Sequence, residues 1–240
     1  MKKKLMFLLP LFLCLTACDI SSLIPSENGG DDDESSQAQD QSQGGGQQGS
    51  DIDQSIFDIP ESLNKLMAYG KNTGFDIDFV TKETGYDDTN RKIGMKGDTF
   101  WVYDTIWSGY RLVDGKCQML DYDEDNQKWS VLIANIGDES QYNQMFASLT
   151  SFLYTANEYS ANEGFVSNGE GTYQGRNVYK FKYERKIATY STSHEYYVDK
   201  ELGITLYDKA TSTSDGDTSS VSIEVTSFKT GSQVADPTIE

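Results

Sequence analysis

Alternation with a period of two limits what this chain can fold into. Phe75-Asp76-Ile77-Asp78-Phe79 switches between apolar and acidic at every residue, so an extended strand here offers one face to a core and one to water. Residues 91–96 repeat the pattern after the polar stretch 85–90. Further short strand-like runs follow at 99–103, 110–113, 116–122 and 129–133, then at 164–166, 172–173, 177–183, 195–198, 205–210 and 219–228. Turn residues separate them: Lys96-Gly97-Asp98, Asp215-Gly216-Asp217 and, above all, Asp114-Gly115, a two-residue hairpin signal. The pattern predicts a curved antiparallel meander.

Two segments break the alternation. Pro60 suits a first helical turn, Glu61 sits near its positive end, and Ile59, Leu63, Leu66, Met67 and Gly70 share a face. Between residues 140 and 159, Met145, Phe146, Leu149, Phe152, Leu153 and Ala156 recur at steps of three and four, which predicts an amphipathic helix. The expected class is mainly β with two helices.

The N-terminus reads differently. Lys2, Lys3 and Lys4 precede an apolar run from Leu5 to Leu13 that Pro10 interrupts. Crossing a bilayer takes about 20 apolar residues, so a cleaved signal peptide over residues 1–17 is expected rather than a permanent anchor. Residues 19–54 hold the acidic run Asp31, Asp32, Asp33 and Glu34, then Gln, Ser and Gly in a low-complexity stretch. Such a composition buries too little apolar surface to offset its ordering entropy, so residues 18–54 are expected to be a lipidated N-terminus and disordered tether. As a flexible coil the tether would span on the order of 33 Å. Residues 55–240 remain for one folded domain.

The chain carries a formal charge of −18, and losing the three leader lysines makes it more acidic still. A field of this sign repels phosphates, so nucleic acid is not an expected partner. Of the three cysteines, Cys14 lies in the leader and Cys18 at its end, leaving Cys117 without a partner for an internal disulfide. Cys117 lies in a strand-like run and is read as a small packed hydrophobe rather than a reactive thiol. His194 is the only histidine, which removes a multi-histidine metal site; beside Glu195 it is read as a surface residue. Residues 121–126 partly imitate a calcium loop. Asn126 stands where its sharp-turn glycine belongs and Leu132 where its bidentate glutamate belongs, so an acidic hairpin turn is the reading. No catalytic residue, metal site or cofactor is expected.

Leu15-Thr16-Ala17-Cys18 resembles the bacterial lipobox, in which the cysteine receives a diacylglycerol thioether. That resemblance implies an extracytoplasmic protein anchored to the cell membrane through lipid at Cys18. The order helix, meander, helix, meander resembles the LolA-like superfamily of lipoprotein carriers, which includes LolB, LppX and LprG. The phrases that carry it are residues 97–103, 121–129 and 197–204, with 224–229 as the closing strand. The resemblance implies an unclosed antiparallel barrel covered by helices around an apolar cavity. It also implies a binding protein for a lipid or other apolar ligand, with Trp101, Met145, Phe146, Leu149, Phe152 and Leu153 as cavity candidates. The alternative is a non-enzymatic scaffold or sensor lipoprotein that meets a cell-envelope protein.

Overall fold

The computed structural model describes Ile52, residues 54–162 and residues 164–240. The signal peptide, Cys18 and the tether up to residue 51 lie outside the described residues.

A 3-10 turn, Gln54–Phe57, leads into α1 (Ile59–Asn72). The helix starts where its sequence directs. The Asp58 carboxylate accepts from the Glu61 N–H at 2.9 Å, Pro60 fills the first turn, and Leu63, Leu66 and Gly70 are buried.

Two meanders follow. The first runs β1 (Phe75–Glu83), β2 (Thr89–Lys96), β3 (Thr99–Tyr103), β4 (Trp107–Val113), β5 (Lys116–Asp123) and β6 (Lys128–Asp138). The second runs β7 (Phe165–Tyr173), β8 (Arg176–Ile187), β9 (Tyr190–Asp199), β10 (Thr205–Ser214) and β11 (Asp217–Thr230). Between them lie α2 (Glu139–Thr150), a 3-10 turn (Ser151–Tyr154) and α3 (Thr155–Tyr159). β1 pairs with β11, and this seam fuses both meanders into one curved, antiparallel sheet of 11 strands with β6 and β7 at its edges. The sheet does not close into a barrel.

The tight turns carry their expected conformations. Asp114-Gly115 has φ of 50° and 71°, and Asp215-Gly216 has 52° and 93°, the all-positive pattern that matches strand twist. The expected runs at 164–166 and 172–173 are one strand, β7, with a bulge between Ser167 and Glu170. As an edge strand exposed on most of its length, β7 has no alternation for a sequence reading to find. The second helix, expected unbroken over 140–159, instead tightens at 151–154. The Thr150 hydroxyl donates to the Phe146 carbonyl at 2.8 Å, a local bond that competes with the helical ladder.

The phrase 197–204 is a corner that holds the fold. Asp199 accepts from the N–H groups of Glu201 and Leu202 at 2.9 and 2.8 Å, and both its oxygens meet the Arg176 guanidinium at 2.6 and 3.0 Å. Asp199 is buried, so this pairing is what allows a carboxylate there. Gly203 turns the corner at φ 67°, and a Cβ would meet the Ser62 hydroxyl at 2.1 Å, so α1 closes down on a position open only to glycine.

Around β3 the sheet buries both faces. One holds the main core, where Phe75, Ile77, Ile93, Met95 and Phe100 pack with Leu63 and Leu66 of α1. On the other face, Trp101 of β3 sits opposite Gly94 and Gly109 in register. A Cβ on Gly94 would lie 2.3 Å from the Trp101 ring, and one on Gly109 would lie 2.6 Å from Trp129. The glycines thus clear a shelf for indoles. Val234 is buried with Trp101, Leu120 and Trp129, and Lys96 donates to its carbonyl at 2.7 Å. The chain then adds a short parallel strand to β6: Trp129 N–H donates to Thr238 and Glu240 N–H to Trp129, each at 3.0 Å.

Candidate functional site

The helical segment 139–159 connects the two edge strands of the sheet; its buried Tyr142, Phe146, Leu153 and Tyr154 meet the main core, and Ala156 meets a second cluster with Tyr179 and Phe181. Asp138 caps it, accepting from the Gln141 N–H at 3.2 Å. Tyr142, Phe146 and Thr150 follow at intervals of four, which puts them on one face, and all three are buried. Phe100 is their hub on the sheet. Its ring centroid lies 5.0 Å from Tyr110, 5.1 Å from Tyr142 and 5.3 Å from Phe146. Leu153 is also fully buried in this cluster. Farther along, Phe152 meets Phe79 edge-on at 5.2 Å, and the Arg91 guanidinium sits 5.7 Å from its centroid.

Five of the six cavity candidates therefore come together. Phe146 and Leu153 are fully buried, while Met145, Leu149 and Phe152 are half-buried against the same cluster. Trp101 does not join them, because strand alternation sends it to the far face while its neighbour Phe100 faces the helix.

The segment also carries an unusual polar load. Among the described residues, Tyr142 Oη, Asn143 Oδ1, Thr155 Oγ1 and both side-chain polar atoms of Asn157 are buried with no hydrogen-bond partner. Each such group costs about 1–3 kcal/mol relative to a satisfied one. Burial pushes the Tyr142 hydroxyl well above the usual phenol range, so it stays a neutral donor. The apolar face thus holds the segment in place while its polar atoms work against that position.

Other residues singled out in the sequence have structural roles. Cys117 is buried in the core as a free thiol, and burial raises its pKa, away from reactivity. His194 corrects the surface reading: its side chain is 13% exposed, with Nδ1 2.8 Å from the Tyr196 hydroxyl and its ring stacked on Tyr196 at 5.5 Å. The reason is alternation on β9, which puts residue 194 on the same face as the buried Tyr196 and Val198. The acidic turn at 123–126 closes on itself. Asp123 accepts from the N–H groups of Asp125 and Asn126 and from the Asn126 amide, and these bonds hold its pKa below the usual range. Among the described residues, no group of three or more His, Cys, Asp or Glu side chains is placed to hold a metal.

Two open depressions lie elsewhere, on β8–β11 and β1. One, of about 200 Å³, is lined by Lys182, Glu184, Glu195 and Lys209 among others; the second includes Lys82, Tyr207 and Glu224. Both are polar and neither reaches the helical segment. What the sequence reading missed is the exposed apolar run Val131, Leu132 and Ile133 on β6. Its signal was the failure of alternation there: three apolar residues in a row do not suit a half-buried strand.

No protein-family model and no curated protein matches this sequence. Among solved structures, the chain is similar to a Pseudomonas aeruginosa MucA/MucB complex, with 19% identity and a TM-score of 0.33 over 75% of this chain and 59% of that one. A second structure, MucB in complex with MucA(peri), gives 18% and 0.35 over 74% and 57%, so this chain spans less than two-thirds of either. LprF from Mycobacterium bovis gives 8% and 0.27 over 74% and 96%, and a DUF1329 family protein from Desulfovibrio piger 12% and 0.25 over 78% and 96%.

Proposed function

We propose that this chain is an extracytoplasmic binding lipoprotein, tethered to the membrane through lipid on Cys18, that takes a lipid or other apolar ligand between the sheet and residues 139–159. Met145, Phe146, Leu149, Phe152 and Leu153 would line that space, and the helices would cover the open side of the half-barrel. The observation that carries the reading is the helical segment itself. Its apolar side chains pack with the main core, yet among the described residues five of its polar atoms are buried without partners. Swinging outward would rehydrate those atoms and free the apolar row beneath. No chemistry is assigned to the site; the ligand is held, not converted.

Uptake of a fluorescent polyene fatty acid by the chain from Asp19 onward tests the reading. Binding near micromolar or tighter is expected, weakened at least tenfold by Leu149→Asp or Phe152→Asp and unchanged by Trp129→Phe on the far face. Equal uptake by all the variants would count against it.

A second reading, a scaffold for a protein partner, draws on a separate observation: the apolar outer edge of β6.

A further inference from the structure

β6 ends the sheet, and among the described residues no strand pairs with its outer side beyond the C-terminal residues at Trp129. Natural sheets guard such edges with charges, prolines or a covering element. Residues 130–136 of β6 carry neither a charge nor a proline. Instead Val131, Leu132 and Ile133 stand 36%, 57% and 45% exposed. A bulge opposite Met119 and Leu120 leaves Leu132 unmatched on β5.

The edge is competent to pair, because the chain itself pairs with it. Both backbone groups of Trp129 point outward to Thr238 and Glu240. Alternation then directs the N–H and C=O of Val131 outward as well, since β5 and β6 stay in register from residue 128 to 131. The parallel strand made by residues 238–240 covers only the start of β6 and leaves the apolar run open.

Charge selects the occupant. The whole chain is strongly acidic, and exposed Asp121, paired in register with Ser130, flanks the near end of the open run, while at its other end Asp138 stands opposite Lys116 and Glu139 lies 3.9 Å from Lys71. A second copy of this chain would bring the same negative charge to the same edge. We infer that the outer edge of β6 over residues 131–136 is a strand-addition site for an extended protein segment with apolar residues at alternate positions and basic flanks. This rests on the second reading above and gives that partner its chemistry and its place.

The test uses the synthetic peptide Lys-Lys-Val-Thr-Val-Thr-Val-Lys-Lys and its counterpart with Glu in place of each Lys. Binding to the chain from Asp19 onward is read by fluorescence anisotropy, and the site by amide hydrogen exchange. The basic peptide should bind at least tenfold tighter than the acidic one and slow exchange at Val131. Val131→Pro removes one outward donor without touching the β5 ladder, and Leu132→Lys, at an exposed site, keeps the fold if the proline does not. Each should weaken binding at least tenfold. Equal binding of both peptides, or no effect of either variant, overturns the inference. So does a dimer of the free protein that Val131→Pro converts to monomer, which would make a second copy the occupant. A defined protein adduct in intact cells that crosslinks far from β6 would overturn this site while leaving the partner reading standing.

Discussion

The two aromatic layers of this sheet are built from neighbouring residues and held in different ways. Phe100 faces inward and is gripped by Tyr142 and Phe146 from a helix that lies far along the chain. Trp101 faces outward onto Gly94, and the cover over its cluster is Val234 from the C-terminal segment. The inner layer is a core packed against a helical segment that carries buried polar atoms, whereas the outer layer is a glycine-floored shelf under a short strap. A single step along β3 separates a packing problem solved by volume from one solved by omitting a side chain.

Phe146→Ala tests the inner layer and has the largest expected effect, a loss of about 3–5 kcal/mol of unfolding free energy by chemical denaturation. All three tryptophans, Trp101, Trp107 and Trp129, belong to the outer cluster, so native-state tryptophan emission should not move in that variant. A red-shifted spectrum would mean that the layers are coupled through the sheet. Gly94→Ala tests the shelf. Its methyl must displace the Trp101 ring, with an expected loss of about 1–3 kcal/mol and a clear emission change. If Gly94→Ala is neutral, the shelf is not close-packed and the contrast fails. Val234→Ala trims the strap, with an expected cost of about 1–2 kcal/mol and a red shift as the indoles wet.

The smallest effect is electrostatic and lies outside both layers. The hydrogen bond from Lys82 at 2.8 Å holds the Glu224 carboxyl below its usual range. A carboxylate with a depressed folded pKa stabilises fully above its unfolded value and loses that stabilisation as pH falls through the folded one. Glu224→Gln should therefore flatten the acid limb of the stability profile below about pH 4.5, by less than about 1 kcal/mol because the pair is partly exposed. Thermal melts across that range would show it.

Much of the meander is legible in the sequence because strands that bury one face alternate, and β1, β2 and β3 each do so or end in unmistakable turns. Legibility fails where burial is absent or double. β7 lies exposed at an edge, so its two fragments do not read as one strand. Trp101 groups with the helix face by sequence because aromatic character says nothing about which side of a strand a residue occupies; the parity of Phe100 and Trp101 does. His194 reads as a surface residue because its neighbours in sequence are polar, while its neighbours in space are the rings of Tyr159 and Tyr196. The five residues of the helical segment are legible together, since apolar side chains at steps of three and four from Met145 to Leu153 suit a helix and fit neither face of a strand, although the last two fall in the 3-10 turn.

The central claim is that residues 139–159 cover a space for an apolar ligand. Its most direct test is native mass spectrometry of the exported protein, purified without detergent, followed by organic extraction of anything bound. The account predicts one lipid per chain, lost in Phe152→Asp. A clean apo mass, from protein that also takes up no polyene fatty acid, would contradict it.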